Sequence, residues 1–340
     1  MADTRRTCHN TACQRSSATR NMSTTSEYFV GGLIGEGAYG RVVHAQLKSS
    51  GRNVAIKVME KIGVTKRQDL IDQVWQERAL LQKWNSRQVV KLLASFHDSE
   101  CLYFVMECCT GGDLTHWISC AGPSNEPFQR SIPHFSLQLV AAIEFIHTEG
   151  VLHADLKPDN LLMTQNGRLK LADFGSAILL ATRRSATTLL GTIDYASPEL
   201  IRGSQELSVA VDLWSLGCIL HAMWIGRSPF HADSDVLCIS QILDYANRNQ
   251  PIILPPSIRN SCWQQLITGL LQPNPSERLG LTDFQLGHNV TYPSIRSRDM
   301  FENVNLSEHP PYLAPQPNWL KQTQVTSFRD GADGWSNFLL

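Results

Sequence analysis

The stretch His153-Ala154-Asp155-Leu156-Lys157-Pro158-Asp159-Asn160, followed by Asp173-Phe174-Gly175, decides how the chain is read. An acid, a lysine and an amide fall within six residues, and a second acid follows thirteen residues after the amide, in front of a glycine. That combination suits magnesium-assisted phosphoryl transfer. Asp155 can accept the proton of an attacking hydroxyl, and Lys157 can neutralise charge on the moving phosphoryl group. The amide oxygen of Asn160 and the carboxylate of Asp173 are oxygen ligands of the kind hard cations take.

Working outward, the residues before this stretch supply partners for it. Residues 29–58 alternate apolar and polar positions around Gly35-Glu36-Gly37-Ala38-Tyr39-Gly40. In a dinucleotide fold such a glycine pattern leads into a helix. Here Val42, Val43 and the run Val54-Ala55-Ile56-Lys57-Val58 are β-branched, with Ser49-Ser50-Gly51 as a turn, so a strand-turn-strand flap over phosphates is expected, with Lys57 on the next strand. Residues 68–84 carry apolar side chains at 70, 74 and 81, which is helical spacing, and Glu77 falls on the same inward face. A buried carboxylate is costly unless paired, and Lys57 is the obvious partner. Two strand-like runs follow, residues 89–93 and 102–106.

Beyond them, residues 133–148 read as a helix with Pro133 near its start and Gly150 past its end. Leu161-Leu162 and Leu169-Lys170-Leu171 read as short strands flanking the loop. Residues 209–224 are apolar on nearly all sides, the mark of a buried helix, and carry Asp212 near the start.

Composition bounds the rest. With 340 residues, 42% hydrophobic and 18% charged, the chain reads as an ordinary globular protein. A net charge of -1 argues against bulk binding to nucleic acid or a membrane surface. No run reaches transmembrane length, and nine cysteines without a C-x-x-C pair suggest reduced thiols and a cytoplasmic location. Residues 1–27, rich in Ser, Thr and Arg, are expected to be a disordered tail. Cys8, His9 and Cys13 match no common zinc spacing.

Taken together, the motifs resemble the eukaryotic serine/threonine protein kinases over about residues 28–305. The combinations Gly191-Thr192-x-x-Tyr195-x-Ser197-Pro198-Glu199-Leu200 and Asp212-Leu213-Trp214-Ser215-Leu216-Gly217-Cys218-Ile219, with Arg278-Leu279-Gly280 and Met300-Phe301-Glu302-Asn303-Val304, look most like the 3-phosphoinositide-dependent kinase family of the AGC group. The resemblance implies an α+β, bilobal fold: a β-rich small lobe with one helix (residues 28–108), a mainly helical large lobe (109–305) and a C-terminal tail (306–340). Asp155, Lys157 and Asn160 would be catalytic, and Asn160 and Asp173 would hold Mg2+. ATP would meet Ile34, Gly35, Gly37, Ala38, Gly40, Val42, Ala55, Lys57, Glu77, Met106, Glu107, Cys109, Asp113 and Leu162. Met106 falls at the gatekeeper position, and Arg278 matches the arginine that pairs with Glu199.

The expected activity is ATP-dependent phosphorylation of serine or threonine in protein substrates, among them the activation loops of other AGC-type kinases. Such partners would dock a Phe-rich hydrophobic motif against Lys61, Ile71, Val74, Arg78 and Leu102. Animal members of the family carry a lipid-binding domain after the kinase, and the residues after 305 are too few for one. The alternatives are a serine/threonine kinase of another group and a nucleotide-binding pseudokinase scaffold. Against the scaffold stand Lys57, Glu77, Asp155, Lys157, Asn160 and Asp173, all present.

One departure from the family pattern concerns regulation. Thr188 aligns with the family's phosphorylated activation-loop residue. The three basic positions that receive that phosphate are here Ala154, Gln76 and Ile178. Without charge-assisted partners the phosphate has little ordering force, so the chain is expected to be active without loop phosphorylation.

Overall fold

In a computed structural model, residues 25–321 are described apart from 38–39, 66–67, 123, 183–192, 249–251, 260 and 286–287. Ala38, Thr188 and the Cys8, His9, Cys13 group therefore lie outside the described residues. The described residues begin with a single helical turn at Thr25–Glu27 in which Thr25 is buried.

Five antiparallel strands form the first sheet: β1 (Tyr28–Gly37), β2 (Gly40–Leu47), β3 (Asn53–Glu60), β4 (Leu92–His97) and β5 (Cys101–Glu107), in the order β1-β2-β3-β5-β4. β3 is central, and all its interior residues are buried, because both its faces are covered. Val54, Ile56 and Val58 join Tyr103 and Val105 in a core on one side. Ala55, Lys57 and Met59 point the other way, as the two-residue period of a strand requires. That second side is covered by α1 (Lys61–Thr65) and α2 (Gln68–Lys83). α2 falls within a residue of its expected position.

The strand expected at 89–93 is displaced to Leu92–His97. Val89 and Val90 pair instead with Leu171, in the other lobe, and the Val90 amide donates to its carbonyl at 2.9 Å. Two β-branched residues in a row thus fasten the lobes together, which no local pattern reveals.

The second lobe is built from α3 (Leu114–Ala121), α4 (Glu126–Thr148), α5 (Pro198–Ile201), α6 (Ala210–Ile225), α7 (Asp235–Arg248), α8 (Cys262–Leu270) and α9 (Pro293–Arg296). Between α4 and α5 lie two small antiparallel pairs: β6 (Val151–Leu152) with β9 (Ile178–Leu179), and β7 (Leu161–Met163) with β8 (Leu169–Leu171). α4 begins at Glu126, not at Pro133. Asn125 caps it by accepting the Phe128 amide, Pro127 sits in the first turn, and Pro133 lies inside the helix. α6 is buried along nearly its whole length, as its all-round apolar sequence requires. Glu199 and Arg278 meet in a bidentate pair, at 2.5 and 3.1 Å, with Arg278 2% exposed and its guanidinium over the Trp214 ring. Removing either partner would leave a buried charge, a loss of about 3–5 kcal/mol.

Among the described residues after α9 there is little regular structure, yet they are firmly docked. Tyr312 sits edge-on to Trp117 and Phe128, and its amide donates to Ser131 Oγ. Pro310 packs on Gly167, and Pro317 on Gly112. The turn Asn318–Lys321 then reaches β1, and the Trp319 ring lies 5.7 Å from His44 on β2. The segment therefore runs from the large lobe to the small one.

Candidate active site

Lys57 comes from β3 and Glu77 from α2. Lys57 Nζ donates to both Glu77 oxygens and to Asp173 Oδ1, each at 2.9 Å. Glu77 is 2% exposed and also accepts the Phe174 backbone N–H. Burial pushes the Glu77 carboxyl up, and the Lys57 ammonium pulls against it. For Lys57, burial disfavours the charge, but the two carboxylates outweigh it and raise the pKa. Asp173 is held down to about 2, chiefly by the Lys57 ammonium, so it is ionised at neutral pH.

The loop that carries Asp155 is fixed from below. Asp212, fully buried at the start of α6, accepts the His153 amide at 2.9 Å and the Ala154 amide at 3.0 Å. His147 bridges it at 2.8 Å and meets the Tyr292 hydroxyl on its other nitrogen. These bonds hold Ala154 at φ 61°, a left-handed conformation that costs an L-residue roughly 1–2 kcal/mol. His153 accepts the Asp155 amide on Nδ1 and donates from Nε2 to the Ala172 carbonyl, tying this loop to the one that carries Asp173. Lys157 Nζ lies 2.9 Å from Asp155 Oδ2. Asn160 Nδ2 donates to the Asp155 carbonyl at 2.8 Å, which turns its amide oxygen the opposite way. Burial pushes the Asp155 carboxyl up, and Lys157 lowers it again. Phe174 is fully buried against Trp84 and His153, and Asp173 stands at φ 60° in front of it.

Sheet register gathers five of the expected nucleotide residues. Gly35 lies opposite Val42, Val42 opposite Lys57, and Ala55 opposite Met106. Cross-strand partners share a face, and Lys57 and Ala55 share theirs, so all five line one side. Ile34 falls in the irregular register between Leu33 and Gly35. Among the described residues nothing lies within 4 Å of a Cβ built on Gly35. At Gly40, by contrast, a Cβ would lie 2.0 Å from the Val58 carbonyl oxygen, so that glycine answers to β3 rather than to a ligand. Below the cleft, Asp113 and Leu162 pair in an isolated bridge, and Gly111 and Gly112 exchange hydrogen bonds with Met163. Asp113 caps α3 by accepting the His116 amide. The Glu107 amide donates to Lys91, and its carboxylate takes Lys170 at 2.6 Å. Burial pushes the Cys109 thiol up to about 12, so it stays protonated.

Gln76, at a position read as a lost phosphate receptor, donates from Nε2 to the Ala177 carbonyl at 2.6 Å. Ile178, another such position, pairs with Leu152. The link from α2 to the start of the activation segment thus runs through a neutral amide and a strand pair. His147, Tyr292 and this use of Gln76 were missed from sequence. A histidine on an apolar helix face and a glutamine beside a buried glutamate give no local sign of such partners.

The five expected docking residues lie on one side of the small lobe, but not as expected. Lys61 begins α1 rather than sitting on a strand; it is buried, and its ammonium donates to the Asp98 carbonyl. Leu102 is fully buried, Val74 is buried and Ile71 is half-buried. Arg78 donates to Ser95 Oγ at 2.9 Å and lies over Trp75. The set packs α2 on the sheet, leaving Ile71 and Arg78 nearest the surface.

Among the described residues no group of three or more His, Cys, Asp or Glu could hold a metal alone. Asn160 and Asp173 supply one amide oxygen and one carboxylate, which fits magnesium taken up with substrate phosphates and water rather than in an all-protein cage. Among the described residues no helix is long and apolar enough to cross a membrane. The arrangement can position phosphates and a hydroxyl, which is what a phosphotransferase of the kinase type requires.

Comparison with known proteins agrees: the chain belongs to the protein kinase domain family, whose model matches residues 28–289. It is 33% identical over 309 residues to the 3-phosphoinositide-dependent protein kinase 1 of Arabidopsis thaliana, covering 86% of this chain and 60% of that one. It is 31% identical over 300 residues to the protein kinase C-like 1 of Caenorhabditis elegans, covering 88% and 41%. To the serine/threonine-protein kinase PKH2 of Candida albicans it is 30% identical over 303 residues, covering 85% and 30%. The chain spans less than two thirds of the length of each of these relatives.

Proposed function

We propose that the chain is an ATP- and magnesium-dependent serine/threonine kinase of the AGC type whose substrates include the activation loops of related kinases. One observation carries the catalytic part: Lys57 joins Glu77 and Asp173 while Asp212 braces the loop of Asp155. This is an assembled constellation, and a scaffold that only bound nucleotide would have no need of it. Magnesium taken up with the nucleotide would neutralise phosphate charge, with Asn160 and Asp173 as its protein ligands. Lys57 holds the phosphates, Asp155 orients the substrate hydroxyl and accepts its proton, and Lys157 shields the charge between them.

Likeness to a 3-phosphoinositide-dependent kinase supports the substrate class, and Ile71 and Arg78 are the groups placed to meet a hydrophobic motif with an adjoining phosphate. The experiment compares two activation-loop peptides, one extended by a Phe-rich motif, on wild type and Arg78→Glu. A raised KM confined to the extended peptide is the expected result. Equal effects on both peptides would remove the docking role.

A further inference from the structure

A second concave site lies on the large lobe, between the end of α6 and α7. Its volume is about 530 Å3, within the range of pockets that bind ligands. Phe230, Ile225 and Ile252 contribute apolar surface. So does the ring of Tyr245, whose hydroxyl is turned away to donate to the Leu271 carbonyl. Buried His221 holds the walls together, with one ring nitrogen on the Arg227 carbonyl and the other on that of Ile253. Around the mouth stand exposed Arg227 and Arg248 and the side chain of Ile253, 82% exposed. Among the described lining residues Asp244 is the one acid and lies 3.4 Å from Arg248, so the rim they form keeps a surplus positive charge.

The wall of this groove is tied to the segment that leads into α5. Ser228 Oγ donates to the Asp194 carbonyl at 2.5 Å, and His231 Nδ1 lies 2.6 Å from Asp194 Oδ2. Asp194 belongs to the turn Ile193–Tyr195. We infer that the groove between α6 and α7 is a docking site for a segment of the protein substrate that bears an apolar side chain flanked by carboxylates. The floor takes the apolar side chain, and Arg227 and Arg248 take the acids. The inference rests on the kinase reading for the word substrate, but binding to the groove does not.

The probe is a labelled peptide with a Phe-Leu pair flanked by glutamates, followed by fluorescence polarisation. Wild type should bind it, Arg227→Glu and Ile253→Asp should each weaken binding at least tenfold, and a lysine-flanked peptide should not compete. Both substituted side chains are exposed, so folding is spared. Joined by a flexible spacer to a phosphoacceptor peptide, the segment should lower KM for wild type only, while the short acceptor alone is phosphorylated equally by all three proteins. No binding by wild type, or equal binding by the variants, overturns the site. Binding that emerges only after residues 322–340 are deleted assigns the groove to the chain's own C-terminal segment and overturns the substrate reading. Binding with no phosphate transfer to either acceptor removes the kinase reading and leaves the groove standing.

Discussion

In the proposed reaction Asp155 is an ionised acceptor, and its surroundings oppose that. Burial raises its pKa, and Lys157, 2.9 Å away, is the first group to lower it. The acid limb of kcat should therefore lie above the ordinary aspartate range. Lys157→Met removes the lowering charge, so the pKa rises further, the limb moves to higher pH, and activity falls more in mildly acidic than in alkaline buffer. A pH profile of kcat for both proteins checks this, and an unmoved limb would take Asp155 out of the proton's path. At this scale the sequence is most legible. Lys57, Glu77, Asp155, Asn160 and Asp173 could be named from sequence because each chemical role demands one residue type at one spacing, and the structure joins Lys57 to Glu77 and Asp173, and Asn160 to Asp155. Asp212 stands in a motif that the resemblance picked out, whereas its partner His147, and the Tyr292 hydroxyl that His147 meets 145 residues further on, were not named. Their pairing is a tertiary fact without a local pattern.

Among the elements, α2 decides whether the site is assembled, because it carries Glu77. Gln76 fastens this helix to the Ala177 carbonyl. A hydrogen bond of this kind is worth roughly 0.5–1.5 kcal/mol, so Gln76→Ala should lower kcat by about threefold to tenfold. If this neutral link does the work of a phosphate, Thr188→Ala and phosphatase-treated wild type should retain activity within a few-fold of untreated protein. A loss of tenfold or more in both would contradict it. The misplaced elements have physical causes. Residues 89–93 satisfied the local strand pattern, but their first two residues bond across to the other lobe. Pro133 resembles a helix start, yet the Asn125 cap and Pro127 supply a better one a few residues earlier.

For the whole molecule, the segment after Glu308 ties the lobes on the side away from α2. Its anchor is Tyr312 between Trp117 and Phe128, and its far end is Trp319 beside His44. Burying one large side chain is worth roughly 1.5–3 kcal/mol. A chain ended after Glu308 should thus melt several degrees lower, and Tyr312→Ala should reproduce part of that loss; an unchanged Tm in both would show the contacts to be idle. Sequence reading placed only a tail here, since aromatic docking of an irregular segment follows no period.

The central claim is that this cleft transfers phosphate to hydroxyl side chains of proteins. Its most direct test is mass spectrometry of a mixed serine, threonine and tyrosine peptide pool incubated with magnesium-ATP and the purified chain, beside Asp155→Asn. The account predicts phosphoserine and phosphothreonine with wild type and almost none with the variant, while both bind ATP within a few-fold of each other. Nucleotide binding by wild type with no phosphopeptide above the variant's background would contradict it.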